Sequence, residues 1–179
     1  YRLRVPATCA PPSKIMNLLA EVEPLAHILR DNSEHWKPRM KAMDDLLEIT
    51  EKQRDTPDNL TKEIFRCLRH PMKQQLTDLR SQIVRLACQV TTALAVIAGP
   101  RSQDFLSFVM PQLISMSAGA NKVMAGFALD CSREVCSAVQ VFKAIAPLCE
   151  LCTTSRNKAV VESAIDCISV ALRKWDHFR

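Results

Sequence analysis

The sequence predicts an all-α protein made of stacked helical hairpins, and three observations predict it. Glycine is scarce, with 3 in 179 residues, whereas the many turns of an all-β or dinucleotide-binding fold would need a share nearer the usual 7% or so. Apolar residues recur at helical spacing: Ile83, Ala87, Val90, Leu94 and Ile97 trace one stripe of a 3.6-residue helix. Almost every Pro or Gly falls at a junction, dividing the chain into eight helical segments. These lie at about 14–30, 34–53, 57–76, 80–98, 102–117, 121–136, 138–151 and 155–177.

Residues 1–13, within YRLRVPATCAPPSK, lack an apolar run and read as a linker or tail. The domain proper is expected over 14–179. In the first segment Pro24 should kink or break the helix. The second carries the stripe Trp36, Met40, Met43 and Leu47. The third opens with Thr56, Pro57 and Asp58, which reads as an N-cap, a proline at the first helical position and an acid in the first turn. Pro71 should interrupt it. The fourth holds the stripe already described. The fifth and sixth are parted by the turn SAGANKVM (Ser117 to Met124), the seventh and eighth by CTTSRNKA (Cys152 to Ala159). In the last segment Val161, Ile165, Ile168, Leu172 and Trp175 form the stripe expected to face the core.

The even-numbered segments begin near residues 34, 80, 121 and 155, roughly 46, 41 and 34 apart, the length of a HEAT-type hairpin. Such hairpins bury their apolar faces only by stacking on one another. About four of them make a short α-solenoid with two edges, one carrying the turns inside hairpins and the other the links between them. A non-repetitive helical bundle is the alternative that periodicity leaves open.

Composition narrows the function classes. The chain of 20.1 kDa is 47% apolar and 24% charged, as one globular domain would be. The apolar run Thr91–Gly99 falls short of the roughly 18–20 residues that cross a bilayer, so no membrane insertion is expected. Eight cysteines are too few for a disulfide scaffold of this size, and Cys67, Cys88, Cys131 and Cys167 sit in apolar periodic runs as small core residues. A reducing cytoplasm fits. Cys149 and Cys152 form a lone CxxC without a second pair, which reads as packing rather than zinc. His27, His35, His70 and His177 are scattered, and no Gly-rich phosphate loop or GxSxG is present. Asp44, Asp45 and Glu48 read as a solvated face paired with Lys41 and Lys52. The expectation is therefore a protein that is not an enzyme and carries no metal or cofactor. A net charge of +5 and a pI near 8.8 favour an acidic partner. Nucleic acid is disfavoured, because a single Tyr and few other aromatics give no stacking platform.

The turns inside the hairpins are more specific. Each places a cation just before or within the first turn of the next helix: Lys37 and Arg39, then Arg80, then Lys122, then Arg156 and Lys158. A cation there opposes the positive end of the helix dipole and calls for a reason outside the helix, unless it reflects only the 24 Lys and Arg of the chain. Trp36 either begins the core stripe of its helix or shows one ring face at the edge as an interface anchor.

These residues carry a resemblance. LTDLRSQIVRLAC (Leu76 to Cys88) resembles the DLRSQVVREAC signature of the second HEAT repeat in TOG domains of the cytoplasmic-linker-associated (CLASP) family. NKVMAGFAL (Asn121 to Leu129) is similar to that family's AKVMATSGV, and WKPRMKAMDDL (Trp36 to Leu46) to its WEKRVEALKKL. SRNKAVVESAIDCI (Ser155 to Ile168) is a looser match to the fourth repeat. The four motifs stand in family order over about residues 20–177.

The resemblance implies a paddle whose turn edge contacts αβ-tubulin, as free dimer or in microtubules, with other cytoskeletal or plus-end proteins as further partners. It implies a cytoplasmic, microtubule-associated place, spindle included, and a role in microtubule dynamics or stability. By matching position it assigns Trp36 and Arg39 to the first turn, Arg80 and Ser81 to the second, Asn121 and Lys122 to the third, and Arg156 to the fourth. Lys37 and Lys158 join them from the turn cations. The sequence departs from the family at Leu86, where the family has an acid, and at Val161, Glu162 and Ser163, where it has a basic run. The family's fifth and sixth repeats are expected either to be absent or to lie outside this stretch, which reads as a fragment of a longer multidomain protein. An α-solenoid adaptor that contacts a different protein is the competing reading.

Overall fold

The computed structural model describes residues 12–30, 35–140 and 142–175, with side chains from Leu18 onward as far as Lys174. Eight α-helices follow one another: α1 (Pro12–Arg30), α2 (Trp36–Glu51), α3 (Lys62–Leu76), α4 (Ser81–Ala98), α5 (Gln103–Ser117), α6 (Lys122–Ala138), α7 (Phe142–Thr154) and α8 (Lys158–Trp175). Short 3-10 turns at Pro57–Asn59 and Gly99–Ser102 link hairpins, and the described residues contain no strand. α1, α3, α5 and α7 pack side by side in one layer. α2, α4, α6 and α8 form the second, and each helix also packs on its hairpin partner. Contacts run almost wholly between neighbours and next neighbours, the pattern of a repeat stack rather than a bundle.

The core lies between the layers. Ile83, Ala87, Val90 and Leu94 of α4 are all fully buried, as their spacing predicts. Phe65 of α3 and Phe105 of α5 meet at 5.6 Å between ring centroids. Each fully buried Leu or Ile contributes about 1.5–3 kcal/mol of transfer free energy, so the stack is held chiefly by these stripes. The stretch Ser81–Ser117 is long and apolar enough by composition to pass for a membrane span, contrary to what Thr91–Gly99 suggests. The 3-10 turn at Gly99–Ser102 divides it, and most of its apolar window is buried as the centre of the core. Gly99 has a φ of 54°, which lets the chain reverse there without a Cβ clash.

Several local expectations are corrected. Pro24 and Pro71 do not end their helices, and Pro111 and Pro147 also lie inside helices rather than at junctions. Every odd-numbered helix thus carries one internal proline, within about two turns of its C-terminal end, a repeat signature in its own right. Thr56, Pro57 and Asp58 start the 3-10 turn and not α3, which begins at Lys62. There Asn59 Nδ2 donates to Gln53 Oε1 at 2.9 Å and to Thr56 Oγ1 at 3.1 Å, closing the loop on itself. In α2 the buried stripe is Arg39, Ala42, Met43, Leu46 and Thr50, with Met40 and Leu47 only partly buried beside it. In α8 the buried stripe is Val160, Ala164, Cys167 and Ala171, while Ile165 is 51% and Leu172 60% exposed. Cys88, Cys131, Cys136 and Cys167 are buried and free, but Cys149 is exposed and Cys67 only half-buried. Of the acidic face of α2, Glu48 pairs with Lys52 at 2.7 Å, and Lys41 forms no ion pair among the described residues. The expected linker lies almost entirely outside the described residues, and α1 begins at Pro12, within it.

Candidate functional site

Because the odd helices share one layer and the even helices the other, all four intra-hairpin turns fall on one edge of the stack. The first turn delivers Trp36 as the first residue of α2. Its ring is half-buried and packs on the core, with the rest of it open at the edge. Lys37 beside it is exposed. Asp31, Asn32, Ser33 and Glu34 of this turn lie outside the described residues.

The second turn, Thr77–Arg80, is the most organised. Arg39, expected as a surface cation, is 3% exposed. Its Nη1 donates to Gln75 Oε1 at 2.9 Å and to Asp78 Oδ2 at 2.8 Å. Gln75 Nε2 in turn donates to the Leu29 carbonyl at 2.6 Å. Asp78 Oδ1 accepts the Arg80 backbone N–H at 2.8 Å, and Arg80 Nη1 lies 3.5 Å from the same oxygen. One network therefore ties the end of α1, the start of α2, the end of α3 and the start of α4. Arg39 is a positioning residue here, since a buried guanidinium bonded on its inner side has little left for a partner. Burial alone would raise the Asp78 carboxyl, but the Arg80 N–H and the bond and charge of Arg39 outweigh it, with Arg80 adding to them. They hold it below the ordinary carboxylate range.

This rigid turn exposes Leu79, 91% open to solvent. With Trp36, Arg80, Ser81 and Gln82 it lines one shallow depression on the edge. Leu79 escapes periodicity because it falls in the turn between the segments 57–76 and 80–98, where no helical stripe marks it. The signal that finds it is a large apolar residue between Asp78 and Arg80, both of which the turn uses.

On the third turn Asn121 caps α6, its Oδ1 accepting the N–H groups of Val123 at 3.2 Å and Met124 at 3.3 Å. Its side-chain oxygen is engaged in that cap rather than free for a contact. Lys122 is exposed and so is Val123, at 58%. The fourth turn is built the same way: Asn157 Oδ1 accepts the Ala159 N–H at 3.0 Å, while Ser155 Oγ accepts the Asn157 N–H at 3.2 Å. Arg156 is exposed, and exposed Lys158 stands 3.5 Å from Glu162.

The edge therefore brings together Trp36, Lys37, Arg80, Ser81, Lys122, Arg156 and Lys158, and keeps Arg39 inside. Its first three turns each pair an apolar side chain with a cation: Trp36 with Lys37, Leu79 with Arg80, and Val123 with Lys122. Such an edge can seat a protein surface that is apolar in patches and acidic around them. Another concavity lies away from this edge, on the even-helix face beside Leu47, Arg85, Val96, Phe127 and Asp130, and is open to solvent. Among the described residues no group of His, Cys, Asp and Glu is placed to hold a metal ion.

A family model described as CLASP N terminal matches residues 18–178. CLIP-associating protein 1-A of Xenopus laevis is 25% identical over 151 residues, covering 84% of this chain and 10% of that protein. CLIP-associating protein 1-B of Xenopus laevis matches with the same identity and coverage, and CLIP-associating protein 1 of Xenopus tropicalis is 24% identical over 151 residues. The chain spans about a tenth of the length of these curated relatives. Among solved structures, the designed armadillo repeat protein YIII(Dq.V1)4CPAF in complex with peptide (KR)4 superposes with a TM-score of 0.57 at 15% identity. It covers 90% of this chain and 70% of that one, a likeness of fold.

Proposed function

Since this chain belongs to the CLASP N-terminal family, we propose that it is a tubulin-binding module that docks αβ-tubulin on its intra-hairpin turn edge and so regulates microtubule dynamics. It acts by binding and not by catalysing a reaction. The observation that carries this reading is Leu79, held 91% exposed beside Trp36 on a turn fixed by the Arg39–Asp78 network. An exposed apolar side chain on a rigid support keeps most of the free energy of its burial, because little side-chain or loop entropy is lost on association, and it stands beside Trp36, of the type that most often dominates binding.

The cations have a different task. Lys37, Arg80, Lys122 and Arg156 stand along the rim, where they speed encounter with an acidic surface and fix register more than they add affinity. The relatives are about ten times longer than the matched region, and modules in a longer chain gain through effective concentration. Weak binding by one module then suffices, and allows release.

The test is sedimentation of the chain with free αβ-tubulin at low and moderate salt. Wild type should form a complex that weakens with salt. Trp36→Ala with Arg80→Ala should abolish it, and Leu79→Ser should weaken it by about 30-fold, a hot-spot loss. No complex at tens of micromolar tubulin, or one indifferent to all three residues, would move the function to an adaptor contacting another protein.

A further inference from the structure

The outer face of α3 carries a straight row of cations away from the turn edge. Lys62, Arg66, Arg69 and Lys73 follow one another at four, three and four residues, one stripe of a helix. The opposite side buries Ile64, Phe65, Leu68 and Met72. Lys62, Arg66 and Arg69 are exposed and Lys73 is half-buried. Among the described residues none of the four takes part in an ion pair. Of the neighbouring carboxylates, Asp58 pairs with Arg101 and Asp104 with Lys143 at 3.3 Å, while Glu63 is held below the ordinary carboxylate range first by its own backbone N–H and Thr61 and then by the nearby charges of Arg66 and Lys62, without forming an ion pair with either.

One end of the row is preorganised. The Phe108 ring of α5 holds Lys73 Nζ at 4.7 Å and Arg69 Cζ at 5.6 Å from its centroid, and His70 meets the ring edge-on at 4.7 Å. Cations packed on a ring face have less freedom to lose when a ligand arrives. Toward the other end, Lys62, Arg66, Arg69 and Arg101 rim a cleft between α3 and α5 that Phe65, Phe105 and one carboxylate, Asp104, also line.

We propose that this face of α3 docks an acidic peptide segment in extended form, independently of the turn-edge reading. The row runs about 16 Å along the helix, the length of roughly five residues of extended chain. Side chains on one side of such a chain recur about every 6.7 Å, close to the spacing of cations one helical turn apart. The arginine forks take carboxylates bidentately. Nucleic acid is disfavoured because the Phe108 ring is already covered by cations and the Phe65 and Phe105 rings of the cleft are buried, leaving no face for a base.

The experiment is fluorescence anisotropy of a labelled short oligoglutamate peptide with the full chain, at low and moderate salt. Arg66→Glu with Arg69→Glu should weaken binding at least about tenfold. Arg173→Glu with Lys174→Glu on α8, which changes net charge equally, should weaken it less than about twofold. Phe108→Leu should give an intermediate loss, with thermal melting by circular dichroism confirming that each variant is folded. Equal losses in the two charge-reversal variants, or no binding at all, would overturn the proposal. Tighter, row-dependent binding of a short RNA or of phosphatidylserine vesicles would overturn it in favour of that ligand.

Discussion

Arg39 of α2 and Asp78 of the α3–α4 turn are joined at 2.8 Å, with side chains 3% and 10% exposed. The pair lies 39 residues apart in sequence and clamps two successive hairpins at the edge proposed to bind a partner. Arg39→Met should therefore destabilise the fold by about 3 kcal/mol, the loss typical of removing one partner from a buried pair. Urea unfolding of wild type, Arg39→Met, Asp78→Asn and the double variant measures it. A coupling energy near zero in that cycle would show that the two residues act separately.

The same pair sets a pH dependence. The Asp78 carboxyl is held below its ordinary value in the folded chain by the Arg80 N–H and by Arg39, which outweigh the opposing effect of burial. Its contribution to stability is thus fully present above the unfolded carboxylate pKa, near 3.9, and is lost as pH falls through the lower folded value. The stability difference between wild type and Asp78→Asn should be constant from neutral pH to about pH 5 and shrink below about pH 4. Denaturation midpoints across that range check it, and a difference that grows on acidification would contradict the assignment.

The thiols divide sharply. All four buried thiols are free; hydrogen bonding with the neighbouring Cys131 thiol for Cys88 and with the Cys167 thiol for Cys136, together with burial, pushes the Cys88 and Cys136 thiols far above the ordinary range. At neutral pH neither forms the reactive thiolate. Exposed Cys149 should be alkylated fastest among the described cysteines, with half-buried Cys152 behind it. Cys88, Cys131, Cys136 and Cys167 should react only on unfolding. Mass mapping after brief iodoacetamide treatment, with and without denaturant, tests this, and native labelling of Cys88 would sink it.

Eight helices and their pairing were legible because glycine scarcity and 3.6-residue periodicity report backbone geometry directly, as Ile83, Ala87, Val90 and Leu94 illustrate. The turn cations were legible as positions but not as environments. Arg39 and Arg80 look alike in sequence, yet one is buried because Gln75 and Asp78 come round from the next hairpin to meet it. That is long-range information, absent from any local window. Leu79 was hidden for the opposite reason, an apolar residue whose turn leaves it nothing to pack against. The internal prolines misled because a helix interior can lose one N–H bond when packing on both sides supports it.

α8 gives the sharpest case and a prediction. Val161, Ile165, Ile168 and Leu172 are as well spaced for a core stripe as Val160, Ala164, Cys167 and Ala171, one residue earlier along the same helix. Periodicity cannot choose between adjacent stripes. Packing against α6 and α7 buries Val160, Ala164, Cys167 and Ala171, leaving Ile165 and Leu172 outward while Ile168 rests partly on the core. Ile165→Gln with Leu172→Gln should then change stability by less than about 1 kcal/mol, as exposed substitutions do. Ala164→Leu, a single change on the buried side, should cost about 1–3 kcal/mol by overpacking. Thermal and urea unfolding of the two variants distinguish the stripes, and a large loss in the glutamine variant would restore the larger residues to the core.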